Sequence, residues 1–274
     1  MNSKFTGGRC AIVTVLVFAG SVRADIFDGF ESYSVGGQPG GIWEDASAYI
    51  TNPTSNDPTM SVVSTTDAFG NATQAVQISA DNIGTSGGIM GRVGHHSIQR
   101  FETDLRLDQA GNGSSPNWIS AAGFVQVTDQ NDFNWMPQAF VYANGNSNRF
   151  RLYVRNADGQ SGASRDFGLG TENWSYNTWY RVVLEVDTTT GVFSTLITDI
   201  ESGQIISDVS RTYAGWNEDF GQYDMISIND GEYGSNPGTV GNSATIDNLG
   251  YVPSPGSFVV LLSGGAMLGK RRRL

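Results

Sequence analysis

Two short stretches of this 274-residue chain carry side chains whose types and spacing could do chemistry. In 100–108 (RFETDLRLD), Glu102 and Asp104 are two positions apart. On an extended chain such residues share a face. Their carboxyls would then fall within the about 5–9.5 Å that separates the two acids of a glycoside hydrolase. Arg100 and Arg106 flank the pair, so a surface ladder of alternating charge explains it equally, and Glu185 and Asp187 repeat the spacing. In 149–155 (RFRLYVR), Arg149, Arg151, Tyr153 and Arg155 share one face. Guanidinium forks grip carboxylate or sulfate bidentately, and an aromatic ring stacks on a sugar. The four residues form a platform for an acidic polysaccharide, or an arginine face that discourages edge pairing of strands. Further aromatics, Trp118, Trp135, Trp174, Trp216 and Tyr233, sit among Asn, Gly and Ser in what read as loops or strand ends, and Tyr142 lies on a strand. They are stacking candidates unless the core takes them. His95-His96 would point to opposite faces of a strand, and no third ligand stands at a useful spacing. Asp129, Asp132, Asp224 and Asp230 read as scattered loop acids. Serine-elbow, zinc-helix and phosphate-loop motifs are all missing.

These side chains need strands to hold them, and alternation at period 2 supplies the strands. Phe150, Leu152 and Val154 oppose the arginine face; Phe101, Thr103, Leu105 and Leu107 oppose the Glu102 face; Tyr180, Val182, Leu184 and Val186 form a third apolar row. Thr188–Gly191 reads as a turn into a strand over 192–200, and Glu201–Gln204 as a turn into the next. With no amphipathic helical pattern and no fixed repeat, many strands joined by polar turns predict an all-β, antiparallel β-sandwich of jelly-roll type over 25–251.

The two ends read differently from the middle. Residues 1–24 have the layout of a signal peptide: basic Lys4 and Arg9, an apolar stretch over 10–20, and Val22-Arg23-Ala24 at the cleavage position. Cys10, the only cysteine, lies within that segment, so the processed domain has no disulfide or thiolate. At the other end Val252-Pro253-Ser254-Pro255 precedes a short apolar run over 258–268 and the basic tail Lys270, Arg271, Arg272 and Arg273. The run is too short for a stable bilayer-spanning helix, which needs roughly 20 residues. This layout over 252–274 resembles the PEP-CTERM sorting signal of bacterial envelope proteins, with Ser254 where that family has Glu. The resemblance implies export through signal peptidase, transient inner-membrane association through the C-terminal segment, and cleavage near Pro253 and Pro255 by an exosortase. The expected destination is the cell envelope, cell surface or extracellular space. Between the ends stand nine arginines, no lysine and 27 carboxylates, a net charge of −18, where the whole chain has −11. Such a surface repels nucleic acid.

Asp28-Gly-Phe-Glu31-Ser-Tyr33, Trp43, the 179–187 strand and Thr245-Ile-Asp247-Asn-Leu249 resemble concanavalin A-like, laminin-G-like domains and jelly-roll carbohydrate-binding modules. The resemblance implies a structural Ca²⁺ held by Glu31 and Asp247 across a sheet edge, with Asp28 as a third ligand. Calcium takes six to eight oxygens at about 2.3–2.6 Å. The competing reading is a turn-forming Asp and a solvated Glu. The Glu102–Asp108 stretch also resembles the E-x-D-x-x-E strand of concanavalin-like endoglucanases, but Leu107 stands at the second Glu position. The function expected is non-catalytic binding of exopolysaccharide in the envelope or matrix. A glycan-cleaving hydrolase or lyase of the same fold, and a purely structural matrix protein, are the alternatives.

Overall fold

The computed structural model describes residues 26–45, 59–80, 86–92, 98–109, 120–126, 138–144, 147–155, 164–213, 216, 224–231 and 242–253. The proposed signal peptide, His95, His96, Trp118, Asp129, Asp132, Trp135, Tyr233, Pro255 and the basic tail lie outside the described residues.

The alternating rows become strands in two stacked antiparallel sheets. In the first, sheet A, the order is β13 (Ile205–Thr212), β12 (Val192–Asp199), β11 (Trp179–Asp187), β6 (Ile98–Gln109), β15 (Asn242–Pro253), β4 (Ala72–Ala80) and β3 (Thr59–Thr66). β1 (Ile26–Asp28) takes over from β4 as the neighbour of β15 from Leu249 to Tyr251. In the second, sheet B, the order is β10 (Ser164–Gly168), β9 (Arg149–Arg155), β8 (Gln138–Asn144), β7 (Ser120–Gln126), β14 (Asp224–Gly231), β5 (Ser86–Arg92) and β2 (Trp43–Asp45). No helix occurs among the described residues.

The core fills the space between the sheets with the apolar rows read from the sequence. Phe101, Leu105, Tyr180, Leu184 and Phe193 of sheet A meet Ile89, Phe124, Val141, Phe150 and Leu152 of sheet B in one buried cluster. Edge-to-face ring pairs cross the interface, Phe150 on Tyr180 at 5.2 Å and Phe101 on Phe124 at 6.0 Å between centroids. A sandwich joined this way needs no disulfide, because each inward side chain removes apolar surface worth about 25 cal/mol per Å² from water.

Two details differ from the sequence reading. β15 runs through Pro253, two residues past the expected end of the sandwich at 251, and Val252 and Pro253 pair with Arg100 and Gln99. Asp224 and Asp230, expected in loops, belong to β14.

β15 also carries a bulge. Asp247 pairs with Asp104 and Gly250 with Glu102, so three steps on β15 match two on β6. Asn248 takes up the extra residue in the left-handed region, with φ 50°. A bulge of this kind re-aims a side chain, and here the Asn248 amide Nδ2 donates to Asp104 at 2.8 Å.

Candidate functional site

Asp28 ends β1 and ties the following segment to the domain. Its Oδ1 accepts from Phe30 N at 2.7 Å, and its Oδ2 accepts from Tyr33 Oη at 2.9 Å and Trp43 Nε1 at 2.7 Å. Burial, and then the hydrogen bond to the Asp28 carboxylate, push the Tyr33 phenol up to about 12. Phe30, held at φ 61°, is fully buried between Tyr33 and Trp43. Asp28 is therefore the anchor of an aromatic turn.

Glu31 and Asp247 come together at Thr73, where β4 gives way to β1 beside β15 inside the sheet. The Thr73 hydroxyl on β4 lies 2.6 Å from Glu31 Oε1 and 3.3 Å from Asp247 Oδ2, and Gln74 N donates to Glu31 Oε1 at 2.9 Å. These bonds hold the Glu31 carboxyl below its ordinary value. Asp247 is pushed the other way, to about 6, first by burial and then by the charges of Asp104 and Glu31. Among the described residues no three acidic, histidine or cysteine side chains gather as a metal group. Both Asp28 oxygens serve Phe30, Tyr33 and Trp43, which gives Asp28 an anchoring role. Glu31 and Asp247 instead share the Thr73 hydroxyl, a hydrogen-bonded tie between the first turn and the last strand.

Glu102 and Asp104 share the outer face of sheet A, as their spacing requires. Arg181 on β11 grips Asp104 with two parallel bonds, Nε to Oδ1 at 2.8 Å and a terminal nitrogen to Oδ2 at 2.9 Å. Glu102 lies 3.2 Å from Arg100 and 3.6 Å from Arg181. The pair thus belongs to a charge ladder that runs Arg100, Glu102, Arg181, Asp104 and Asn248. Asp104 spends both oxygens on these partners, which a nucleophile or general acid would need free for substrate.

On sheet B, Arg149, Arg151, Tyr153 and Arg155 alternate with buried Phe150, Leu152 and Val154. Arg149 is exposed, and the other three are half-buried. The sequence reading missed Asp166 on β10. It accepts from Arg151 Nε at 2.8 Å and from Tyr142 Oη at 2.9 Å. Burial and the Asp166 charge push the Tyr142 phenol well up, so it stays a neutral donor. A strand of five residues, β10, gives little alternation to find it by.

Several expected stacking aromatics are not available. Trp174 and Trp216 belong to the core cluster. Trp174 donates Nε1 to Asn144 O at 3.3 Å, and Trp216 packs edge-on against Phe193 at 5.1 Å. Tyr142 faces outward from β8 yet is 2% exposed, and Phe140 in the same outward row is fully buried. Of the aromatics assigned to sugar contact, Tyr153 keeps partial access among the described residues.

No protein-family model matches the chain, and no curated protein matches it in sequence. Solved structures do match in shape. The exoplasmic/lumenal domain of VIP36 in its Ca²⁺/Man-bound form superposes with a TM-score of 0.55 at 8% identity, covering 86% of this chain and 92% of that one. The Ca²⁺-bound form gives 0.53 at 7% identity, covering 86% and 92%. The metal-free form gives 0.52 at 7%, covering 85% and 92%. At such identity the likeness establishes the fold, a concanavalin-like jelly roll, and nothing of the ligand.

Proposed function

We propose that this chain is an exported lectin-like domain that binds acidic exopolysaccharide without chemistry, through Arg149, Arg151, Tyr153 and Arg155. The observation that carries the reading is a cationic strand on a strongly acidic protein, oriented by Asp166 in a fold shared with a mannose-bound domain. Arg151 is held by Asp166 in a fixed fork direction, and Arg149 stands exposed beside it, so ordering costs on binding are small. The layouts of residues 1–24 and 252–274 support export, signal peptidase and exosortase processing, and a place in the envelope or matrix. Intact mass of the chain recovered from the medium, ending near Pro253, would support that route; a cell-associated chain of full mass would count against it.

The binding test is affinity electrophoresis through gels containing alginate. Retardation by alginate that weakens in Arg149→Ala and Arg155→Ala supports the arginine face. A purely structural matrix role is the second reading, favoured by the burial of Trp174, Trp216 and Tyr142. Absence of retardation in alginate would overturn the arginine face and favour that second reading.

A further inference from the structure

We infer that the outer face of sheet A holds a saccharide subsite of its own, a cleft of about 580 Å³ that takes a neutral pyranose. It lies on the opposite sheet from the arginine strand and rests on different residues. Its lining joins three connections at one end of the sheet: the β3–β4 turn with Asp67 and Phe69, the segment before β11 with Asn177, and the β12–β13 turn with Glu201, above Arg106 and Trp179.

The floor is rigid. Trp179 Nε1 donates to Thr66 O at 3.0 Å, and the Arg106 guanidinium lies 4.8 Å from the indole centroid. Arg106 is also paired with Asp108 and donates to Thr65 Oγ1 at 3.0 Å. Its charge is thus balanced by Asp108 at the floor of the cleft. The wall is pre-formed too. Asp67 accepts from Phe69 N at 2.9 Å, Asn71 N at 2.8 Å and Asn71 Nδ2 at 2.9 Å, which sets the turn and presents Phe69 at 70% exposure. Opposite, Asn177 sits at φ 60° and donates its backbone N–H to Leu107 O at 2.7 Å, leaving its amide side chain exposed at the lining.

An exposed ring, an amide and carboxylates around a shallow, pre-organised hollow are the groups that grip a polyol: the ring covers the C–H face and the polar groups take hydroxyls. The sign of the rim decides the class. With Arg106 balanced by Asp108, Asp67 and Glu201 leave the mouth acidic, which disfavours a uronate or sulfate and accepts uncharged hydroxyl donors.

The test is affinity electrophoresis of the full 274-residue chain in non-ionic detergent through gels of galactomannan, hydroxyethylcellulose, dextran and, separately, alginate. At least one neutral polymer is expected to retard the chain. Phe69→Ala, on an exposed turn, and Asn177→Gly, which keeps the left-handed backbone, are each expected to weaken that retardation roughly 3- to 10-fold. Absence of retardation in all three neutral gels overturns the inference, as does neutral retardation that either variant leaves at the wild-type value. Alginate retardation and its dependence on Arg149 test the arginine face separately, so each reading can fail alone.

Discussion

Asp28→Ala separates an anchoring carboxylate from a calcium ligand. The substitution takes the acceptor away from three donors at once: Phe30 N, Tyr33 Oη and Trp43 Nε1. Tyr33 keeps a second acceptor in Gly40 O at 3.2 Å. Trp43 is 4% exposed and Phe30 fully buried, so neither the indole N–H nor Phe30 N recovers its bond from water. A buried donor without a partner costs about 1–3 kcal/mol, so the two donors give a loss of about 2–6 kcal/mol. In a domain of this size each kcal/mol lowers Tm by about 2–4 °C, an expected drop of about 4–24 °C. Urea unfolding followed by tryptophan fluorescence reads the same loss as a lower midpoint at unchanged slope. The phenol of Tyr33 should titrate below its value of about 12 in the variant, while burial keeps it above an ordinary tyrosine. Both unfolding series are run with calcium and with EDTA. An anchor gives the same loss in each, whereas a ligand gives a loss only with calcium. A loss below about 1 kcal/mol, the lower end for an orphaned donor, or one abolished by EDTA, refutes the reasoning.

Asp247 titrates near 6 in the fold against 3.8 for an ordinary aspartate, so the folded state holds its proton longer than the unfolded chain. Its contribution to stability is therefore greatest below the ordinary pKa and falls as pH rises from about 4 to 6, by about 3 kcal/mol. Asp247→Asn should flatten that segment of the pH–stability curve measured by urea midpoints, and an unchanged curve would refute the assignment. Glu31 has the opposite sign: its carboxyl is held low by Thr73 and Gln74, so its stabilisation is present at neutral pH and lost on acidification. Thr73→Val should diminish that acid-side loss. Gly191 lies at φ 65°, and an added Cβ would stand 2.8 Å from Trp216 Cβ and from Tyr213 O. Gly191→Ala should cost about 2–4 kcal/mol from left-handed strain and overpacking, read as the shift in thermal midpoint. On the ligand side, Arg149→Ala should reduce alginate retardation, and Phe69→Ala should reduce that by a neutral polymer.

What was legible in the sequence was whatever local alternation encodes. The faces of β6, β9 and β11 follow from their own residues, and so does the shared face of Glu102 and Asp104. The turns at Thr188–Gly191 and Glu201–Gln204 carry their own chemistry and fall where read. The partners across strands were not legible. Arg181 meets Asp104, and Asp166 meets Arg151, only because of strand register, which the whole sheet sets. The bulge at Asn248 hides for the same reason, since one extra residue shows only against its partner strand. Trp174 and Trp216 mislead because polar neighbours report that the backbone is near solvent, not where the ring goes. Both indoles turn inward, one onto Tyr176 and one onto Phe193.

The pairing of β1 with β15 has a mechanical consequence. Ile26 stands opposite Tyr251, so the two ends of the described domain leave side by side and in opposite chain directions. Tension drawn between them loads the ladder one rung at a time, as in peeling, instead of shearing all rungs together. Two residue pairs, Ile26 with Tyr251 and Phe27 with Gly250, yield before the load reaches Asp28, which is bonded into Tyr33 and Trp43. The domain would shed a short leader under weak force and then stop at that aromatic knot, with the rest of both sheets intact.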